Sequence, residues 1–324
     1  MVNFEYIDAK SLSDVPALLG KKWGETSILA GGTDLLDRLK ERIDQPKRVV
    51  NIKGIKDLYG LKNGNGLEIG ALTTIAELAA DDRVHKNYAV LAEAAESIAT
   101  PQLRNMGTLG GNLCQRPRCW YYRGNAYDCL KKGGAKCFAA EGLNKYNAIL
   151  GGGPSFIVHP SDAAPALIAL GARIELLGPE ESEKMPLEEF FELPIDNLRR
   201  ENVMNPNEIL TKVTVPKQPN GARSTYVKFR EKQSMDFAIS SVAAVLQMQG
   251  STVKSARIVL GGVAPIPWRA EKAEAALVGK TLNTANIAKA AKASTDGADP
   301  MTQNAYKVLL TQNLVKRALE KLAA

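Results

Sequence analysis

Between Thr100 and Asp162 the chain narrows its own options. A glycine-bearing segment without a single carboxylate, TPQLRNMGTLGGNL (100–113), runs into every cysteine of the protein, Cys114, Cys119, Cys129 and Cys137, and the stretch closes on HPSD (159–162). Buried structural thiols scatter among core elements, whereas these four fall within 24 residues of a 324-residue chain. MVNFEYIDAK, the N-terminal stretch, has no signal-peptide core, so a reducing, cytoplasmic setting is expected and disulfides are not. Export would then depend on a partner that carries the signal.

The cysteine spacing is Cys-x4-Cys-x9-Cys-x7-Cys. Structural zinc usually sits between CxxC knuckles, which are absent here; that weakens zinc without removing it. Soft thiolates at looser spacing suit an iron–sulfur cluster. Arg116, Arg118, Arg123, Lys131, Lys132 and Lys136 would offset its negative charge, and Trp120, Tyr121 and Tyr122 would keep water away.

In the segment before them, Gly107, Gly110 and Gly111 allow close backbone approach. Thr100, Gln102, Asn105, Thr108 and Asn112 offer neutral hydrogen-bonding groups, and Arg104 a fixed positive charge. That inventory suits a pyrophosphate and a heteroaromatic ring better than acid–base catalysis, although a polar surface loop would carry many of the same residues. A second glycine turn lies upstream: a strand over Thr26–Ala30 leads into AGGTD (30–34), then a helix over Leu35–Ile43 capped by Thr33 or Asp34, then a strand over Arg48–Ile52. Such a turn can present N–H groups to a phosphate. It is neither GxGxxG nor a P-loop, and by itself it fits a plain turn equally well.

Residues 57–99 read as a further α/β unit: a hairpin turn at NGNG (63–66), a helix over Ile75–Ala80 capped by Thr73 or Thr74, a polar link containing His85, and a helix over Tyr88–Ile98. A helix over Ala163–Leu170 should start at Ser161 or Asp162, with strands at Arg173–Leu177 and Glu208–Val215. From residue 221 the style changes to antiparallel strands (Thr225–Arg230, Ile239–Met248, Val253–Val263) followed by helices (Arg269–Leu277, Thr284–Ala293, Thr302–Leu322). The polar segment KFREKQSMDFA (228–238) could face a ligand, or Lys228 and Arg230 could be edge-strand charges.

Hydrolytic chemistry has few players: two histidines, no HExxH, no Ser/His/Asp set, and no residue that reads as catalytic. The net charge of +7 is spread without a basic arm or tract, which disfavours nucleic acid. No apolar run is long enough to span a membrane. Redox chemistry by a borrowed cofactor fits what remains.

The motifs AGGTDLL (30–36), TPQLRNMGTLGGNL (100–113), HPSDAAPAL (159–167), EILTKVTVP (208–216), YVKFRE (226–231) and LGGVAPIPWRA (260–270) occur in the order of one family. Over nearly its whole length the chain resembles the FAD-binding medium subunits of the molybdenum hydroxylases, the xanthine dehydrogenase family. The cysteine insert is similar to that of the [4Fe-4S]-containing members, 4-hydroxybenzoyl-CoA reductase and the aldehyde oxidoreductases, with NLCQRPRCWYYR and GGVAPIPWRA nearer the latter.

The resemblance implies an α+β fold: a vanillyl-alcohol-oxidase (PCMH)-type FAD-binding domain of two α/β subdomains, 1–56 and 57–217, the second carrying the insert at 114–150, then a C-terminal α+β domain of antiparallel sheet with helices at 218–324. It implies that Ala30, Gly31, Gly32, Thr33 and Asp34 wrap the FAD pyrophosphate, joined by Thr108, Gly111 and Asn112, with Leu29 and Leu35 also at the cofactor. Thr100 and Arg104 would serve the same cofactor, Asp162 would hold its ribityl or adenosine side, and Leu210 and Lys228 would approach the flavin. Cys119, Cys129 and Cys137 match cluster ligands, but the usual fourth position is Ser155 here: either Cys114 swings in, or Ser155 ligates, or the cluster is altered or lost. Cys114 is the expectation, because four thiolates give the most stable [4Fe-4S] ligation. A large molybdenum-cofactor subunit and a small [2Fe-2S] subunit are implied as partners, in a heterotrimer, alone or dimerised, together with an external electron acceptor. Two rivals stand beside this expectation: a flavin-free zinc or iron–sulfur module, and a free-standing FAD oxidase.

Overall fold

The computed structural model describes residues 1–324. Strands β1 (Glu5–Asp8), β2 (Thr26–Leu29) and β3 (Arg48–Asn51) form a parallel sheet in the order β1-β3-β2, with Val50 opposite both Ile7 and Ile28. Parallel strands need crossovers, and the short helices Val15–Leu19 and Leu35–Lys40 supply them. Side chains alternate across a strand, so Val50 joins Val15 and Leu19 in one apolar cluster while Val49 joins Leu35 and Leu39 in another. The first strand and first helix were not anticipated; both are short, and β1 is largely exposed. The second helix stops at Lys40, short of the expected Ile43, because the amides of Ile43 and Asp44 turn back onto the Arg38 carbonyl.

The second sheet is antiparallel, in the order β4 (Leu61–Gly64), β5 (Gly66–Gly70), β8 (Ile209–Pro216), β6 (Arg173–Leu177), β7 (Ser182–Pro186). Leu67, Ile69, Ile174, Leu176, Val213 and Val215 share one face and pack beneath helices Ile75–Ala80, Ala89–Ser97 and Ala163–Ala169, forming the largest apolar core. Thr74, not Thr73, caps the first of these helices through a reciprocal capping box with Glu77. His85 does not lie in a link: Asp81 caps a helix at Asp82–Asn87 that carries it, and its Nε2 sits 2.7 Å from the Ala79 carbonyl.

The third sheet, β9 (Ala222–Phe229), β10 (Ser240–Gln249), β11 (Thr252–Gly261) and β12 (Trp268–Arg269), is antiparallel in the order β12-β11-β10-β9. SSVAAVL, in β10, reads as a continuous buried run because both faces are covered. Val242, Ala244 and Leu246 face the C-terminal helices Glu271–Leu277, Thr284–Ala293 and Tyr306–Ala323, while Ala243 and Val259 complete the core of the second unit. The sheet is thereby clamped between two bodies of helix. No helix is long and apolar enough to cross a membrane.

Candidate functional site

A cleft of about 460 Å³ opens where the three sheets meet. One wall is the turn after β2, Ala30–Leu35. The floor comes from the start of helix Leu109–Leu113, and the far wall from Asp162, Leu210 on β8 and Lys228 on β9.

The two glycine turns converge. Gly31 packs so tightly against the other segment that an added Cβ would sit 1.9 Å from the Met106 carbonyl oxygen, and Gly32 holds φ at 77°, a left-handed conformation that favours glycine. No acceptor within the protein takes the amide N–H groups of Gly31, Gly32, Thr33 or Asp34. A run of unclaimed donors beside a cleft is what a diphosphate requires. The segment expected as a loop at 100–113 is instead two one-turn helices, Pro101–Met106 and Leu109–Leu113, whose N-caps are Thr100 and Thr108.

Asp34 sits at the head of its helix but makes no cap bond. Its carboxylate instead gathers three guanidiniums: Arg38 Nε at 3.1 Å, Arg118 Nη2 at 2.9 Å and Arg123 Nη2 at 2.6 Å. Burial works against its charge, yet these neighbours outweigh it and hold the pKa below the ordinary range. At the opposite end Asp162 and Lys228 line the cleft, with Tyr226 behind them: Asp162 accepts from Tyr226 Oη at 2.6 Å and from Lys228 Nζ at 2.7 Å. Both ion-pair side chains are nearly sealed from water, at 5% and 4% exposure, so Lys228 is not a solvated edge charge.

Of the residues expected at the cofactor, the structure places Ala30, Gly31, Gly32, Thr33, Asp34, Leu35, Thr108, Gly111, Asn112, Asp162, Leu210 and Lys228 on the cleft walls. Three lie elsewhere. Leu29 packs with the Leu35/Leu39/Val49 cluster, on the opposite side of its strand from Ile28, which lines the cleft. Thr100 spends its hydroxyl on the Leu103 amide. Arg104 donates to the Ile98 carbonyl at 2.8 Å and borders a separate shallow depression. Residues not foreseen include Arg118, Met204 and the strap Met235–Phe237; for the strap, the polar run 228–238 was a partial signal.

The thiols do not converge as expected. Cys119 and Cys137 are close enough to repel one another as thiolates. Cys114, however, lines the cleft described above, its sulfur 3.9 Å from that of Met204. Burial alone pushes its pKa up to about 12, with no second thiol contributing. Cys114 is therefore not the fourth member of a cysteine site. No three of the chain's His, Cys, Asp and Glu side chains form a group that could hold a metal ion, so the arrangement does not fit a four-thiolate cluster. Ser155 is buried, and its neighbour Phe156 accepts a bond from Asn147, whose amide also approaches Cys119.

A cleft built from two glycine turns, with diphosphate donors at one end and a buried Lys–Asp pair at the other, defines a flavin-dinucleotide-binding protein. Residues 2–218 match the family described as the FAD binding domain in molybdopterin dehydrogenase, and residues 224–322 match the CO dehydrogenase flavoprotein C-terminal domain. The chain is 36% identical to the aldehyde oxidoreductase FAD-binding subunit of Escherichia coli (strain K12), over 95% of both chains. It is 31% identical to the carbon monoxide dehydrogenase medium chain of Hydrogenophaga pseudoflava, over 98% of this chain and 96% of that one. The solved structure of carbon monoxide dehydrogenase from the latter organism, lacking the Mo-pyranopterin moiety, superposes with a TM-score of 0.79 at 30% identity, covering 99% of this chain and 97% of its own. The chain belongs to the FAD-binding medium subunits of the molybdenum hydroxylases, and its fold is the PCMH-type FAD domain followed by the family's C-terminal domain.

Proposed function

We propose that this chain is the electron-transfer flavoprotein subunit of an aldehyde-oxidising molybdenum hydroxylase complex, partnered by a large molybdenum-cofactor subunit and a small [2Fe-2S] subunit. FAD, when bound, supplies a carrier able to take electrons from iron–sulfur centres and hand them to an external acceptor. The observation that carries the reading is the meeting of Gly31 with the Met106–Gly107 turn, which lines up unclaimed amides along one cleft. In this proposal the backbone of Gly31–Asp34, with Thr108, Gly111 and Asn112, holds the diphosphate. Asp162, Leu210 and Lys228 hold the flavin end, and the strap Met235–Phe237 excludes water. Likeness to the E. coli aldehyde oxidoreductase subunit favours aldehydes over the xanthine dehydrogenase-type and 4-hydroxybenzoyl-CoA reductase-type alternatives. The proposal places the complex in the cytoplasm unless a partner carries an export signal, and assigns one sheet each to units 1–56, 57–217 and 218–324.

An iron–sulfur cluster has narrower support and no electron step is routed through it. The proposal names Cys119, Cys129 and Cys137, on the proximity of Cys119 to Cys137 and the basic surroundings of the insert, and it requires the three thiols to draw together, since as placed they form no metal-holding group. Visible absorbance and FAD analysis of the purified chain test the flavin; a colourless chain that takes up no FAD would sink the proposal. Iron and acid-labile sulfide test the cluster: Cys137→Ser should remove both and Cys114→Ser should leave them at the parent level. A parent chain without iron would end the cluster reading and leave the flavin reading standing.

A further inference from the structure

We propose that Arg118, carried by the cysteine insert between Cys114 and Cys119, is a diphosphate-binding residue of the flavin site, so that the insert supplies part of the cofactor's cradle. The inference rests on the FAD reading of the cleft and deepens it.

Three guanidiniums share Asp34, but they are not equivalent. Arg38 is also paired with Asp44, and Arg123 with Asp37 at 3.1 Å. Arg123 is further occupied by the carbonyls of Pro117 and Arg116 and does not line the cleft. Arg118 has no carboxylate of its own. It lines the cleft and spends Nη2 on Asp34 and, at 3.3 Å, on Gln115 Oε1. Its Nε is buried without any partner.

A buried N–H that finds no acceptor is costly, so native structures rarely leave one. The residue that carries it lines the cleft and is bonded to Asp34, the last of the four residues Gly31–Asp34 whose amides are unclaimed. Two sets of donors lacking acceptors, side by side, call for an oxyanion, and a planar guanidinium matches a phosphate with two parallel bonds. The geometry also explains how the group is aimed. Asp34 holds one edge, and the ring of Phe237 lies 4.7 Å from the guanidinium carbon, fixing its plane from the strap side. Because Arg118 is the residue next to Cys119, unfolding the insert would withdraw this contact, and retention of FAD would depend on the order of the insert.

The test compares FAD with riboflavin, which shares the ring and ribityl chain but has no phosphate. Affinities of the deflavinated full-length chain are read by flavin fluorescence for the parent, Arg118→Ala and Arg118→Lys, with thermal midpoints recorded alongside. Arg118→Ala should weaken FAD about tenfold or more and leave riboflavin within about twofold, since only the diphosphate loses a charge-assisted partner. Arg118→Lys should recover part of the loss, as a point charge without the fork. If the parent itself takes up no FAD, the flavin reading fails. If the parent binds FAD but both variants keep its affinity, or lose FAD and riboflavin alike, Arg118 is a brace and the inference is overturned. Should Arg118→Ala unfold, Arg118→Lys alone decides, by the same FAD-to-riboflavin ratio.

Discussion

At the scale of single residues, the cleft is governed by a few charges sealed from water. Lys228 and Asp162 form a nearly unexposed pair on its wall. Electrons arriving on a flavin beside them are stabilised by the ammonium and opposed by the carboxylate, so the two substitutions should move the potential in opposite directions. Lys228→Ala removes the cation and leaves Asp162 unbalanced; the flavin midpoint potential should fall, by on the order of 30–60 mV for a two-electron couple. Asp162→Asn should raise it. Potentiometric titration checks both, and shifts of the same sign would show that the pair acts through shape alone. His159 governs a different property. Burial lowers its pKa from the ordinary 6.5 to about 4, and its ring packs edge-on against Phe191 at 4.7 Å. The unfolded chain therefore binds a proton between these values that the folded chain refuses. Stability from this residue is complete above pH 6.5 and drains away as pH falls toward 4, by about 3 kcal/mol at most. Asp34 and Glu201 are held below their ordinary values of 3.8 and 4.5, so the stability they add is lost mainly below that range. Urea midpoints should thus decline between pH 6.5 and 4 in the parent and stay nearly level in His159→Leu.

At the scale of elements, the contact between two turns decides whether the cleft exists. Gly31→Ala places a methyl group 1.9 Å from the backbone oxygen of Met106, and no side-chain rotation can relieve that. The turns must part, and FAD affinity should drop at least about thirtyfold, equivalent to some 2 kcal/mol of misfit; equilibrium dialysis with FAD checks it. Much of this architecture was legible. Strand β2, its glycine turn and the following helix announce themselves by an apolar run, two glycines and a helix start, and the sheet of the C-terminal unit by long apolar strands around Gly250. The helices at 101–106 and 109–113 were hidden because Gly110 and Gly111 read as loop, although the caps Thr100 and Thr108 were in view. What stayed illegible is contact across distance. Nothing near Arg118 in the chain signals that Asp34 and Phe237 will bracket it, and nothing near Cys114 signals that it will turn toward Met204 and away from the other thiols. Sequence spacing grouped four cysteines, and tertiary packing divides them.

At the scale of the whole molecule, the insert is a brace that touches the rest of all three units. Arg116 and Lys131 grip the buried Glu201 at 2.6 and 2.7 Å, tying the insert to the second unit. Arg118 and Arg123 tie it to Asp34 of the first. Its exit is held by the C-terminal unit. Lys307, fully buried on the last helix, donates to the carbonyls of Tyr146, Asn147 and Gly262 at 3.2, 3.0 and 2.6 Å, and Asn304 donates to Asn147 and Ala148. Here a buried amine, its pKa lowered by burial to about 7, donates to three carbonyls, of which that of Asn147 also accepts from Asn304. Lys307→Met keeps the apolar stem but orphans the Tyr146 and Gly262 oxygens, at a cost of about 2 kcal/mol or more. If the three units unfold together, the variant should melt in one transition several degrees lower, and flavin should leave at that same reduced temperature. A C-terminal unit that melts early while the flavin stays until the parent midpoint would mean that the brace is local, and that the cleft keeps its far wall without help from the last helix.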